Sequence, residues 1–147
     1  MYKVTLDTNV ILSGYFHRDE HCMEVLELVP DHLQWYISPF IAKECADVMR
    51  KKIFRKGLRR KGKTIDDVLQ DIAARSILVY PTSKISVVVE DPSDDHILEC
   101  AYDSGSDWLL SNDHHLYVLK QYLHIPILRP EEFLVLHEKG FLEKGIM

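Results

Sequence analysis

The feature that most limits what this chain can fold into is a repeating switch of hydrophobic period. Short apolar runs rich in β-formers alternate with longer stretches whose apolar residues recur every three or four positions. The runs lie at residues 2–6, at Trp35-Tyr36-Ile37, at Ile77-Leu78-Val79, at Trp108-Leu109-Leu110 and at Ile125-Pro126-Ile127-Leu128. Helical patterns fall between them. Residues 20–29 carry Met23, Leu26 and Val29 on a face. Ser38-Pro39 opens a helix striped by Ile41, Cys45, Val48 and Met49, because Pro is tolerated in a first turn. Residues 64–75, 94–104 and 114–123 follow, and Pro130-Glu131-Glu132 opens a last helix. Residues 85–89, ISVVV, read as an extended connection or a further β-prone run. Strands separated by helices pair in parallel, so the expectation is an α/β fold with a parallel sheet of about five strands flanked by helices. In such sheets functional groups gather beyond the carboxyl ends of the strands.

The 147 residues carry no internal repeat and no linker rich in Gly, Ser or Pro, so one domain over 1–147 is expected. No apolar run approaches a membrane span, and the start of the chain has no signal-peptide pattern. Three cysteines, Cys22, Cys45 and Cys100, make an odd set without CxxC spacing. Each sits in a helical apolar context, which fits buried free thiols and a cytoplasmic protein.

Charge is spread unevenly. The net value is −5, yet residues 50–63, RKKIFRKGLRRKGK, hold 9 of the 18 Lys and Arg and no acid. A basic arm beside an acidic body suits a protein that grips a polyanion and hydrolyses it with metal ions. Gly57 and Gly62 suggest a bend in that arm. Arg55, Lys56, Arg59 and Arg60 are its candidates for contacts to the phosphates of such a polyanion, against the plainer reading of a solvated charged face.

Carboxylates supply the other half of the pattern. Asp7 stands where the first strand ends, in VTLDTNVILSG, and Asp113 follows the fourth strand in LLSNDHH. Each also fits a turn or helix cap. Glu44 falls at the flank of the apolar stripe of its helix, where a carboxylate needs a partner. Asp91-Pro92-Ser93 reads as a turn, and Asp94 and Asp95, which follow it in EDPSDDHILECA, would favour a helix dipole. The helical wheel puts Asp94 nearer the apolar side formed by Ile97, Leu98 and Ala101. Three or four carboxylates on such a sheet suit Mg²⁺ or Mn²⁺, hard cations that take oxygen ligands and support phosphodiester hydrolysis. No Gly-rich phosphate loop competes, since neither GxGxxG nor GxxxxGK[ST] occurs.

Taken in order, LDTNVILSG, the Glu44 helix and DPSDDHILECAYDSGSDWLLSNDHHL resemble the PIN-domain family, in particular its toxin–antitoxin toxin branch of VapC-like ribonucleases. The likeness runs from about residue 2 to residue 136. It implies a PIN-like (Rossmann-like) sheet and a Mg²⁺- or Mn²⁺-dependent endoribonuclease, with a cognate antitoxin as partner and dimerisation common among relatives. It matches Asp7, Glu44, Asp95 and Asp113 to the catalytic acids. Asp7, Asp95 and Asp113 are matched as metal ligands, with Glu44 coordinating directly or one step removed. Here the resemblance favours Asp95 where the wheel favours Asp94. Asn9 and Ser111 match polar positions that orient ligands or phosphate. One position departs: many relatives carry an acid where this chain has His115, which either still serves the metal or marks a weakened site. The rival reading is therefore a catalytically silent PIN-like module that binds RNA or protein.

Overall fold

The computed structural model describes residues 1–88 and 91–138. Its strands are β1 (Tyr2–Leu6), β2 (Leu33–Ile37), β3 (Ser76–Leu78), β4 (Trp108–Leu110), β5 (Gln121–Tyr122) and β6 (Ile125–Leu128). Its helices are α1 (Thr8–Tyr15), α2 (Glu20–Glu27), α3 (Pro39–Met49), α4 (Lys52–Arg60), α5 (Ile65–Arg75), α6 (Ser93–Asp103), α7 (His114–Tyr117) and α8 (Pro130–Glu138). The sheet runs in the order β3-β2-β1-β4-β6-β5. Every pairing is parallel except β5 with β6. The expected α/β fold is what forms.

Local chemistry sets most of these boundaries. Ser38 caps α3 by accepting from the Ile41 amide at 3.3 Å, with Pro39 in the first helical position. Thr64 and Asp67 form a reciprocal capping box that starts α5. The central strands are buried on both faces, as Val4, Leu6, Trp35, Leu109 and Leu110 show. Full burial of each such side chain stabilises the fold by about 1.5–3 kcal/mol. Helix α6 packs on β1, β2 and β4, so its first turn sits beside the carboxyl ends of the middle strands. All three cysteines are buried free thiols, as their apolar contexts suggested. Among the described residues no helix is long and apolar enough to cross a membrane.

Two local expectations change, and one open choice resolves. The helix expected over 114–123 is only the short α7. Lys120 and Leu123 take left-handed φ values of 63° and 53°, and the chain turns into the β5–β6 hairpin. Pro126 lacks an amide hydrogen and sits in that short pairing near the sheet edge, where the loss is tolerated. Residues 85–88 form an extended connection without strand pairing, and Val89 lies outside the described residues. The basic segment is no bent arm. Gly57 is interior to α4, where a Cβ would meet the Phe16 ring at 3.4 Å, and Gly62, at φ 64°, follows the end of that helix. Phe54 and Leu58 face inward, one turn apart. Arg55 with Arg59 and Lys56 with Arg60 form two exposed rows on the same helix.

Candidate functional site

The end of β1 builds the first corner. Asp7 follows Leu6 and caps α1, its Oδ1 accepting from the Thr8 amide at 2.7 Å. Its other oxygen accepts from the Ser111 hydroxyl at 2.6 Å. Ser111 follows β4 and in turn accepts from the Asp113 amide at 2.9 Å. That pair of bonds ties the two strand ends together. Asp113 caps α7, accepting from the His115 amide at 2.8 Å. Glu44 reaches the same place from α3, where the Thr8 hydroxyl donates to it.

A cleft of about 310 Å³ opens over these groups, lined by Asp7, Asn9, Glu44, Asp91, Asp94 and Asp113 among others. Arg18 lies on its rim, with its guanidinium carbon 4.5 Å from the centre of the Phe54 ring. Asp91, Asp94, Asp113 and His115 each offer a ligand atom, and those atoms lie within 4.8 Å of one another. Burial, and then the charges of Asp113 and Glu44, push the Asp7 carboxyl up to about 6 despite its two hydrogen bonds. Burial raises Asp94 well above the usual carboxylate range, and Asp113, Asp7 and Asp91 reinforce it. Among the described residues, the buried Oδ2 of Asp94 has no hydrogen-bond partner. An arrangement of this kind is costly as it stands. A divalent cation taking oxygen ligands would relieve both the crowding and the orphaned atom.

The sequence-derived set is therefore brought together at Asp7, Glu44 and Asp113, with Asn9 and Ser111 at the positions expected of supporting groups. Asp95 stands apart from them. It is 6% exposed against 5% for Asp94, so burial does not separate the two. Their partners do. The Asp95 carboxylate accepts from the amides of Val87 and Val88, both at 2.9 Å. It is the first of three acids, four residues apart on α6, that pin the extended connection. Glu99 accepts from the Ile85 amide at 2.9 Å, and Asp103 from the Thr82 and Ser83 amides at 2.6 and 2.9 Å. The placement expected for Asp95 thus falls to Asp94, the neighbour that the helical wheel favoured.

His115 does join the acids, its Nδ1 3.4 Å from Asp113. Arg55, Lys56, Arg59 and Arg60 are exposed on α4, whose Phe54 forms part of the cleft wall. Sequence reasoning missed Asp91, taken only for a turn residue. It is one, accepting from the Ser93 amide at 3.2 Å, but its carboxylate also faces the cluster. The signal available was its place in the same short acidic run as Asp94. Thr8 was also missed, and nothing local marks its hydroxyl as the donor to Glu44.

Comparison with known proteins places the chain. A model of the PIN domain matches residues 3–115, which include every acid of the cleft. Among solved structures, that of VapBC2 from Rickettsia felis bound to a DNA fragment from its promoter is similar. It has a TM-score of 0.59 and 14% identity, and the alignment covers 85% of this chain and 96% of that one. At that identity the likeness speaks to the fold alone. No curated protein matches.

Proposed function

Since this chain belongs to the PIN-domain family, we propose that it is a Mg²⁺- or Mn²⁺-dependent endoribonuclease and the toxin of a toxin–antitoxin pair. The observation that carries the reading is the buried oxygen of Asp94 that, among the described residues, lacks a hydrogen-bond partner in a cleft shared with Asp7, Glu44, Asp91 and Asp113. The ligands would come from Asp7, Asp94 and Asp113, with Asp91 and His115 beside them. A divalent cation held there supplies Lewis acidity to the phosphodiester and to attacking water. The chain's own groups do the rest. Ser111 holds Asp7 in one rotamer and links it to the Asp113 backbone. Thr8 orients Glu44 at the cleft wall, where its carboxylate can take a proton from water. Asn9, exposed at the mouth, offers an amide to a phosphate oxygen. The four exposed cations of α4 hold flanking phosphates without reading sequence.

The antitoxin follows from the same reading. A partner that covers an acidic cleft would present cations to it, and the similarity to VapBC2 supports a protein partner. Association as a homodimer and a cytoplasmic location belong to the proposal on the same terms.

The test is cleavage of single-stranded RNA by the purified protein with Mn²⁺ or Mg²⁺, beside Asp94→Asn. The expected result is metal-dependent cleavage that the variant loses. RNA bound but uncut by the wild type with either metal would instead make this a silent binding module. Equal cleavage by both proteins would indicate a contaminant.

A further inference from the structure

A second cavity, about 530 Å³, lies beside the acidic cleft and has no part in the chemistry described so far. Its walls include Pro39, Phe40, Tyr80, Ser83, Lys84 and His96. These residues follow the carboxyl ends of β2 and β3 or lie in the first turn and a half of α6. The acids follow β1 and β4. Because the sheet runs β3-β2-β1-β4, the two openings are neighbours along one edge. A single stripe on α3 joins them. Phe40, Glu44 and Val48 recur every four residues and are all half-buried. Glu44 and Val48 line the acidic cleft, and Phe40 lines the second cavity. The distance between them along the helix is about one turn, roughly 5.4 Å.

The cavity is built from flat rings. Phe40 and His96 stack with centroids 4.0 Å apart and planes 26° from parallel. The His96 ring is fixed by its Nδ1, 2.9 Å from Glu99. Glu99 and Asp103 also hold the far wall by accepting from the amides of Ile85, Thr82 and Ser83. Tyr80 stands at the lip, 72% exposed, where nothing in the packing of the core calls for an aromatic residue. Lys84, also exposed, sits at the same lip.

We propose that this cavity is a base-binding subsite, taking an unpaired nucleobase of the RNA strand whose neighbouring phosphodiester lies in the acidic cleft. The inference rests on the ribonuclease reading and adds to it a site for one base of the strand, outside the acidic cleft. A nucleobase presents two flat faces to Phe40, His96 and Tyr80. Its attached phosphate meets the Lys84 ammonium. A strand that threads both openings makes the two contacts at once. Paired bases cannot enter, because their faces are already stacked in a duplex.

The experiment scans short single-stranded RNAs in which one nucleotide at a time is abasic. Cleavage is followed with Mn²⁺, and binding is followed by fluorescence anisotropy on Asp7→Asn. One abasic position near the cut should lower affinity and raise KM by roughly 5- to 150-fold, the range for loss of one stacked base. Tyr80→Ala, at an exposed site, should bring intact RNA toward the abasic value and leave that abasic RNA unchanged. Phe40→Leu should do the same, and the Mn²⁺-induced rise in Tm should match wild type in both variants. A flat scan overturns the subsite, and so does a loss that is equal on intact and abasic RNA. If wild type cuts no RNA, the ribonuclease reading fails by itself, and the anisotropy scan still decides whether the cavity holds a base.

Discussion

Helix α6 carries two kinds of carboxylate one residue apart. Asp95, Glu99 and Asp103 form a row whose every member accepts backbone amides from residues 82–88. The Ser83 hydroxyl, and then the Ser83 and Thr82 amides, hold Asp103 below the ordinary carboxylate range. Asp94 faces the other way, into a cleft of acids, and is pushed up by burial and by its neighbours' charge. Asp94 and Asp95 are equally buried, at 5% and 6% exposed, so desolvation alone does not separate that pair. What differs is supply of donors. Amides satisfy one row and make it a structural strap. Asp94, among the described residues, keeps a buried oxygen with no donor and is left with affinity for a cation. Among buried acids, the unsatisfied ones are the candidates for function.

The largest effect expected from breaking this contrast is on catalysis. Asp94→Asn should lower metal-dependent cleavage by at least about 100-fold, while Asp95→Asn, which keeps an acceptor for the amides, should stay within about tenfold of wild type. Single-turnover rates on one RNA would rank them. The reverse order would return the catalytic role to Asp95.

Next comes the pH dependence of stability without metal. At pH 5 the folded protein holds a proton on Asp7, whose carboxyl sits at about 6, and the unfolded chain, at 3.8, does not. The folded state therefore binds more protons over that interval, and stability falls as pH rises through it. Asp7→Asn cannot ionise there. Its gain over wild type should be absent near pH 4 and reach about 1–3 kcal/mol by about pH 7. With saturating Mn²⁺ the order should invert, because only wild type retains the full ligand set. Urea titrations at several pH values check both halves. A gain independent of pH would mean that Asp7 is not held protonated by its surroundings.

The strap should give the opposite sign. Asp95→Ala leaves the Val87 and Val88 amides without their acceptor and should cost about 1–3 kcal/mol. Hydrogen exchange should then speed up at residues 87 and 88. Asp103→Ala, at the less buried end of the row, should cost less, with faster exchange confined to residues 82 and 83. A stability loss at Asp94→Ala as large as at Asp95→Ala would erase the distinction between the two kinds of acid.

How much of this was legible beforehand differs by region, for physical reasons. The strands announce themselves through local hydrophobic period, and α3 and α5 through caps within a few residues of their starts. Asp7 and Asp113 follow from strand ends alone, since a parallel sheet gathers its carboxyl ends on one edge. Nothing so local announced the short strand at 121–122 that turns back on the expected strand at 125–128. Its apolar residues suit a helix as well as a strand, and the sheet edge resolved the choice. The choice between Asp94 and Asp95 was of the same kind. Neighbouring side chains on a helix point about 100° apart. Which one meets the cleft depends on how α6 is rotated over the sheet, and that rotation is set by Ile97, Leu98 and Ala101 in the core. Residues 82–88 then lie along the flank of α6 and bring the amides that satisfy Asp95. Order along the chain determined the elements and the corners of the site. Only the packing of distant segments decided which acids were paired and which were left open, because hydrogen-bond partners seven to twenty-one residues away leave no local trace in sequence.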